Sequence, residues 1–319
     1  MFIGAFMTKI VECIPNFSEG RRSGVLGALA AAAGVAGAAL LDYSADPDHN
    51  RSVYTLIGSP EGVAEAAFQM CKVARDEIDM NAHEGAHPRM GAADVVPFVP
   101  IKNFSMDECV GLSVAAAARI YGELGIPCFL YENSCASESR RNLADIRRGG
   151  FEGMPAKLLQ EGWAPDFGGR EIHPTAGVTA VGARMPLIAF NVNLGTPDAR
   201  IAKKIAKAIR GSNGGFKYCK AIGLELAGRG ISQVSMNMVN YEGTRLHEAY
   251  EAVRELAGRY GAPVLGSEIL GVAPAKALSD CAEFYLKLEN FDYKSQVMEN
   301  RLLDVLDTDK QEVTANAAG

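Results

Sequence analysis

The chain has no Cys-x-x-Cys pair, no Gly-Lys-Ser/Thr, and no Gly-x-Gly-x-x-Gly between a strand and a helix. Each absence excludes something: a zinc ribbon or thioredoxin-type motif, a P-loop, and a dinucleotide fingerprint. It also has no basic surplus. Lysine plus arginine number 32 against 38 acidic residues, for a net charge of −6. That argues against general nucleic-acid binding, which depends on a basic face. The seven cysteines (Cys13, Cys71, Cys109, Cys128, Cys135, Cys219 and Cys281) are odd in number. They fit a reduced, cytoplasmic protein better than a disulfide framework.

Long apolar runs are also scarce. The longest uncharged stretch, Val25–Leu41, has eight alanines and three glycines among its 17 residues. It reads as a helix followed by a buried strand rather than a membrane span. Met1–Met7 lacks a basic start and a small-residue cleavage site. It is expected to be a ragged start with initiation at Met7, not a signal peptide. What remains is an ordinary globular composition over 319 residues, 48% hydrophobic and 22% charged, enough for about two domains.

The element order supports a division in two. Lys9–Phe17 reads as a strand, Arg21–Ala33 as a helix ended by Gly34, and Ala38–Tyr43 and Ser52–Ile57 as strands around a turn. Ser59 and Pro60 then start a helix running to about Ile78, and Asp94–Ile101 is a strand. The order is β-α-β-β-α-β. It recurs as Pro186–Val192, Pro197–Ile209 capped by Thr196, Ala221–Leu226, Ile231–Tyr241, Arg245–Tyr260 and Val264–Ile269. The expected fold is therefore α+β, with two ferredoxin-like βαββαβ subdomains over residues 1–186 and 187–319. Each should have an antiparallel or mixed sheet with helices on one face. Short turns between successive strands count against a doubly wound parallel sheet. Between the repeats, Ser105–Leu124 reads as a helix, Pro127–Tyr131 as a strand and 138–161 as two helical pieces. The polar tail Thr308–Gly319 is expected to fray.

Four polar clusters carry candidate chemistry. His83-Glu84-Gly85-Ala86-His87 has the spacing of a zinc-protease HExxH motif, but that chemistry needs a helix. Gly85 and the Pro88 after His87 oppose one. A loop histidine serving as general acid/base is the stronger reading. Asp42 to Arg51 holds Asp46, Asp48, His49 and Asn50 in a predicted turn. It is either a solvated hairpin tip or a site wall with carboxylates for an amidinium and Arg51 for a carboxylate. Trp163 to Gly177 is glycine-rich, and is either a plain loop or a cradle for a flat heterocycle. Arg140-Arg141 and Arg147-Arg148 read as a solvated basic face, with docking of an anionic tail as the alternative.

Longer runs point to a family. Val11–Gly20, Asn50–Thr55, His87-Pro88-Arg89-Met90-Gly91 with Asp94, Trp163–Gly168, Gly182-Ala183-Arg184 and Leu187–Asn193 resemble the glutamate formiminotransferases. Those include the monofunctional type and the N-terminal half of formiminotransferase-cyclodeaminase. The resemblance covers about residue 7 to 300, and no cyclodeaminase half is expected to follow. It implies transfer of a formimino group from N-formimino-L-glutamate to tetrahydrofolate, a step of histidine degradation. It also implies two subdomains with a substrate tunnel between them and a homodimer in the cytoplasm. His87 takes the place of the family's proton donor. The folate-binding stretch maps onto Gly168, Gly169, Arg170, Glu171, Ile172, His173, Pro174, Thr175, Ala176 and Gly177. Animal relatives carry a carboxylate where this chain has Ser44, and Asp46 or Asp48 are the residues that could replace it.

The chemistry assigns further roles. The leaving glutamate nitrogen must be protonated, which gives His87 its task. The formimino group is a cationic amidine, so Asp42 or Asp46 would orient it. The donor's carboxylates call for arginine, and Arg51, Arg89 and Arg184, with Asn50, are the candidate substrate-binding residues. No metal is required. The alternatives are a related one-carbon transferase using N-formylglutamate, a folate-binding protein without catalysis, and a metallohydrolase using His83, Glu84 and His87.

Overall fold

Val11 and Cys13 are fully buried among helix residues such as Leu29, Ala66 and Met70, while Glu12 between them belongs to the opposite face. That alternation sets which side of the first sheet is covered. The computed structural model describes residues 8–303 and divides the chain into two units, with the division after Arg184. The segments Met1–Met7 and Thr308–Gly319 lie outside the described residues.

The first unit runs β1 (Ile10–Cys13), β2 (Asn16–Phe17), α1 (Ser23–Ala32), β3 (Ala38–Asp46), β4 (Arg51–Gly58), α2 (Pro60–Glu77) and β5 (Ala93–Lys102). There follow α3 (Met106–Leu124), β6 (Cys128–Glu132), α4 (Leu143–Arg147), α5 (Gly150–Leu158) and β7 (Thr179–Ala183). The helix signals act as the sequence requires. Ser59 Oγ accepts from Gly62 N, with Pro60 in the first turn of α2. Ser105 and Glu108 form a capping box on α3, and Gly125 ends it in the left-handed region. Gly34 does not act as such a stop: α1 ends at Ala32, its cap Ala33 is right-handed, and the positive φ falls on Gly37.

β1 and β2 form one interrupted strand between β4 and β5, and β3 pairs outside β4, all antiparallel. β7 and β6 then extend the sheet beyond β5 in parallel. The sheet is therefore mixed. The expectation of helices on one face needs correction here, because the added strands are covered on both sides. Val96, Phe98 and Val181 join the α1–α3 core, whereas Val95, Phe129 and Ala180 pack with Ile146, Met154 and Leu158 of α4 and α5.

The second unit comprises β8 (Ile188–Leu194), α6 (Ala199–Ile209), β9 (Cys219–Leu226), β10 (Ile231–Met238), α7 (Leu246–Arg259), β11 (Val264–Leu270), α8 (Ala275–Leu286) and α9 (Tyr293–Gln296). The cap of α6 is Asp198, which accepts from Arg200 N, not Thr196. Its sheet is antiparallel in the order β11-β8-β10-β9. The last, first, third and second strands of the repeat thus lie side by side, the same permutation as β5, β1, β4 and β3 in the first unit. Ile188, Phe190, Val192 and Leu194 face Ala202, Ile205 and Val253. On the other face Asn193 links Gln233 and Glu268, and Arg229 pairs with Glu268.

Candidate active site

Register brings the starts of three strands of the first unit to one end of the sheet. Phe17 pairs with both Ser52 and Ala93, and Val95 pairs with Ala180. The segments entering β4, β5 and β7 therefore meet. They hold the turn 47–50, the loop 78–92 and the end of the glycine-rich stretch.

Asn50 ties these segments together. Its φ of 48° is left-handed, which asparagine tolerates better than most residues. Its Oδ1 accepts from Gly20 N at 2.9 Å, its Nδ2 donates to Glu84 O at 2.9 Å, and its carbonyl lies 2.9 Å from His83 Nε2. Ala86 N donates to Asp48 O. The contact is so close that a Cβ on Gly85 would lie 2.3 Å from His49 O.

His83 is held at both ring nitrogens. Nε2 meets the Asn50 carbonyl and Nδ1 accepts from Arg89 Nε at 3.0 Å, which defines the neutral tautomer with its proton on Nε2. Arg89 also donates to the His83 carbonyl and grips Glu152 of α5 through both terminal nitrogens, at 2.7 and 2.9 Å. All three guanidinium nitrogens of Arg89 thus have partners within the protein, while the residue also lines the cleft that holds His87. The segment 83–87 is not helical, and among the described residues no three His, Cys, Asp or Glu side chains form a metal-binding group. The geometry an HExxH centre needs is not present.

His87 lines a cleft with Phe17, Ser18, His49, Asn50, Arg51, His83, Arg89 and Asp94. Its ring meets that of His49 edge-on at 5.8 Å. Its Nδ1 is buried without a partner. Burial, then the guanidiniums of Arg51 and Arg147, depress its pKa to about 4, with Asp94 opposing. The imidazole is therefore neutral at neutral pH. Arg51 donates to Asn16 Oδ1 and is itself depressed by burial and by Arg147. Asp94 accepts from Met90 N at 2.9 Å and forms an ion pair with Arg147.

The sequence reading missed Arg147. It took Arg140-Arg141 and Arg147-Arg148 as a solvated face, yet Arg140 pairs with the half-buried Asp166 and Arg147 with the buried Asp94. Only Arg141 and Arg148 face solvent, on Glu138 and Asp145. Helix α4 is too short to show a periodicity that would have separated the two kinds. The invariably charged guanidinium also gives no clue to its burial.

The other expected residues are dispersed. Asp46 is turned onto its own hairpin: Oδ1 accepts from the Asp48 and His49 amides at 2.9 Å, and Oδ2 meets His49 Nδ1 at 3.0 Å. The His49 amide is the chief reason its pKa is lowered. Asp42 and Ser44 are exposed on β3, outside the cleft lining. The carboxylate that does line the cleft is Asp94. Arg184 lies with Glu12, whose pKa burial raises and Arg184 lowers, and with Tyr131, to which it is hydrogen-bonded.

The stretch 168–177 has two parts. Gly169 to Pro174, with Tyr121, Gly125 and Pro127, line a groove of about 460 Å³. Thr175 to Gly177 brace the His87 loop: Met80 N donates to Thr175 O, Ala92 N to Ala176 O, and a Cβ on Gly177 would lie 2.3 Å from Met90 O. Arg170 donates to the Leu159 carbonyl, and His173 Nδ1 accepts from Ala176 N. Trp163 does not line this groove, since Lys157 covers its ring at 4.0 Å.

A neutral, half-buried imidazole beside two arginines and a carboxylate is the equipment of a proton-transferring enzyme that acts on a small anion. Comparison with known proteins narrows that class. Residues 10–184 match the formiminotransferase domain, N-terminal subdomain, and residues 189–305 match the formiminotransferase domain. The chain therefore belongs to the formiminotransferase family. It is 61% identical to a glutamate formimidoyltransferase of Streptococcus pyogenes serotype M1, over 93% of this chain and 100% of that one. It is 44% identical to that of Thermoplasma acidophilum, over 92% and 97%. It is 43% identical to the formimidoyltransferase-cyclodeaminase of Gallus gallus, over 93% of this chain and 57% of the longer protein.

Proposed function

We propose that this chain is a glutamate formimidoyltransferase. It moves the formimino group of N-formimino-L-glutamate to tetrahydrofolate, releasing L-glutamate and 5-formiminotetrahydrofolate. The likeness to monofunctional relatives over nearly their whole length supports the reaction. The observation that carries the mechanism is the neutral His87 imidazole with its unpartnered Nδ1.

In the reaction the accepting nitrogen, N5 of the folate, loses a proton as it bonds the formimino carbon, and the departing glutamate nitrogen must gain one. His87, starting neutral, accepts the first proton. The imidazolium so formed sits near two guanidiniums, which makes it a strong acid toward the leaving nitrogen. One side chain thus returns the proton it took, and no metal enters the balance. Asp94, the carboxylate lining the cleft, pairs with Arg147. The groove along Gly169 to Pro174 has the size of a small-molecule pocket; with the rest of 168–177 it forms the proposed folate stretch. The shared strand permutation supports reading both units as ferredoxin-like, with a domain boundary close to residues 186–187. The same reading makes the protein a cytoplasmic homodimer. Among the described residues no helix is long and apolar enough to cross a membrane.

The test is direct. Chelator-treated protein given N-formimino-L-glutamate and tetrahydrofolate should form 5-formiminotetrahydrofolate, followed by absorbance or mass. Absence of product under conditions where tetrahydrofolate binds would overturn the assignment.

A further inference from the structure

Arg51 from β4, His87 from the loop 78–92, Asp94 from β5 and Arg147 from α4 converge at one sheet end. Arg147 reaches this point from the helix layer on the second face. Its Nε and Arg51 Nε are shut off from solvent without a hydrogen-bond partner, while its Nη2 is held by Asp94 Oδ2 in an ion pair. Buried polar atoms of native proteins are nearly always hydrogen-bonded. Three such atoms, Arg51 Nε, Arg147 Nε and His87 Nδ1, mark a place that a ligand completes.

The sign of that ligand follows from the charges. Two guanidiniums stand against one carboxylate, and Arg147 lowers the pKa of Arg51. An anion relieves that repulsion. A planar group with two acceptor oxygens suits guanidinium donors best. Arg89 already commits four of its five N–H donors to His83 and Glu152.

We infer that Arg147, together with Arg51, binds one carboxylate of the glutamate donor, and that Asp94 is the positioning residue that keeps Arg147 at the site. This rests on the donor assigned above. It gives the proton shuttle a built-in order: a carboxylate between the guanidiniums offsets the two charges that, after burial, hold His87 away from its proton. Donor binding thus readies the imidazole to receive one. The groups facing His87 are Arg51, Arg147, Asp94 and His49.

The experiment compares wild type with Arg147→Met, Arg147→Lys and the double variant Arg147→Met/Asp94→Asn. Arg147→Met should raise the donor KM about 10- to 100-fold, the usual worth of a charge-assisted hydrogen bond, and leave the tetrahydrofolate KM within about twofold. Arg147→Lys should recover part of the loss. The double variant, free of the uncompensated buried carboxylate, should recover the melting temperature but not the KM. Titration of L-glutamate should show the same dependence without turnover. A folded Arg147→Met protein with wild-type donor KM and glutamate affinity overturns the inference. Should wild type transfer no formimino group, the assigned reaction fails. The glutamate titration then decides this point alone: affinity that depends on Arg147 sustains it, and affinity that is absent or indifferent to Arg147 overturns it.

Discussion

Each unit contains one histidine made less basic by burial whose Nδ1 has no partner: His87 in the first and His247 in the second. The strands around them follow the same permutation. Their surroundings differ entirely. His247 lies in the first turn of α7, stacked on Phe284 at 4.3 Å, with Glu248, Asp280 and Glu251 raising its pKa and Arg245 lowering it. His87 lies in an extended loop between two guanidiniums and a carboxylate. The connection into the fourth strand of the repeat spans residues 78–92 in the first unit and only 260–263 in the second. The chemistry therefore belongs to loops grafted onto the sheet, and neither the fold nor a buried imidazole supplies it unaided.

The sharpest way to break this comparison is to remove each histidine. His87→Ala should lower single-turnover transfer about 10²- to 10⁴-fold. His247→Ala should leave it within about twofold while lowering the melting temperature. Equal losses would mean that the two environments are equivalent.

The hairpin turns provide the next contrast. Asn50→Ala removes two side-chain hydrogen bonds to Gly20 N and Glu84 O and leaves alanine at a φ of 48°. It should cost about 2–4 kcal/mol in denaturant unfolding and should also reduce transfer, because the His87 loop loses its anchor. Gly230→Ala, at a φ of 64° with open space around it, should cost about 1–2 kcal/mol and leave transfer unchanged.

A third contrast is in pH. His87 titrates near pH 4 in the free protein against 6.5 for an ordinary histidine. Between those values the unfolded chain binds the proton and the folded one does not. Stability should therefore fall as pH drops from 6.5 toward 4, and His87→Gln should flatten that part of the slope. In the same experiment kcat/KM should show an acid limb near the low value. The limb in kcat should lie at higher pH, because the bound carboxylate offsets Arg51 and Arg147. The smallest effect concerns Glu84. Its carboxylate is exposed and only its carbonyl is used. Glu84→Gln with chelator should transfer within about twofold of wild type, whereas a metallohydrolase would lose its general base.

The repeated order of strands and helices could be read from alternation, caps and turns, because those signals are local. β7 was not read. Thr179–Ala183 is buried on both faces and has no alternation, and Gly182 is required by the Tyr131 carbonyl beside it. Helices α8 and α9 also went unread. Among the residues lining the cleft, His87 and Arg51 were candidates from residue type and motif, and Asp94 stood in the motif without a role. For Arg89 and Asp46, both assigned to the substrate, sequence shows a charge but not its partner within the protein. Glu152 and the Asp48–His49 turn proved to be those partners. Arg147 was invisible for the converse reason: its carboxylate lies in a distant strand.

The loop that carries His87 leans on parts of the chain made much later. Asp94 waits for Arg147, Arg89 for Glu152, and Met80 and Gly91 for Thr175 and Gly177. On the ribosome, β1 to β5 emerge with their α1 and α2 core before any of these braces exists. A nascent chain arrested near residue 140 should hold a largely formed sheet whose histidine loop is unsupported. The second unit's hairpin β9–β10 closes over Ala227–Arg229 as soon as it emerges. Order of synthesis thus places the Arg147, Glu152, Thr175 and Gly177 braces of the histidine loop after the strands that flank it.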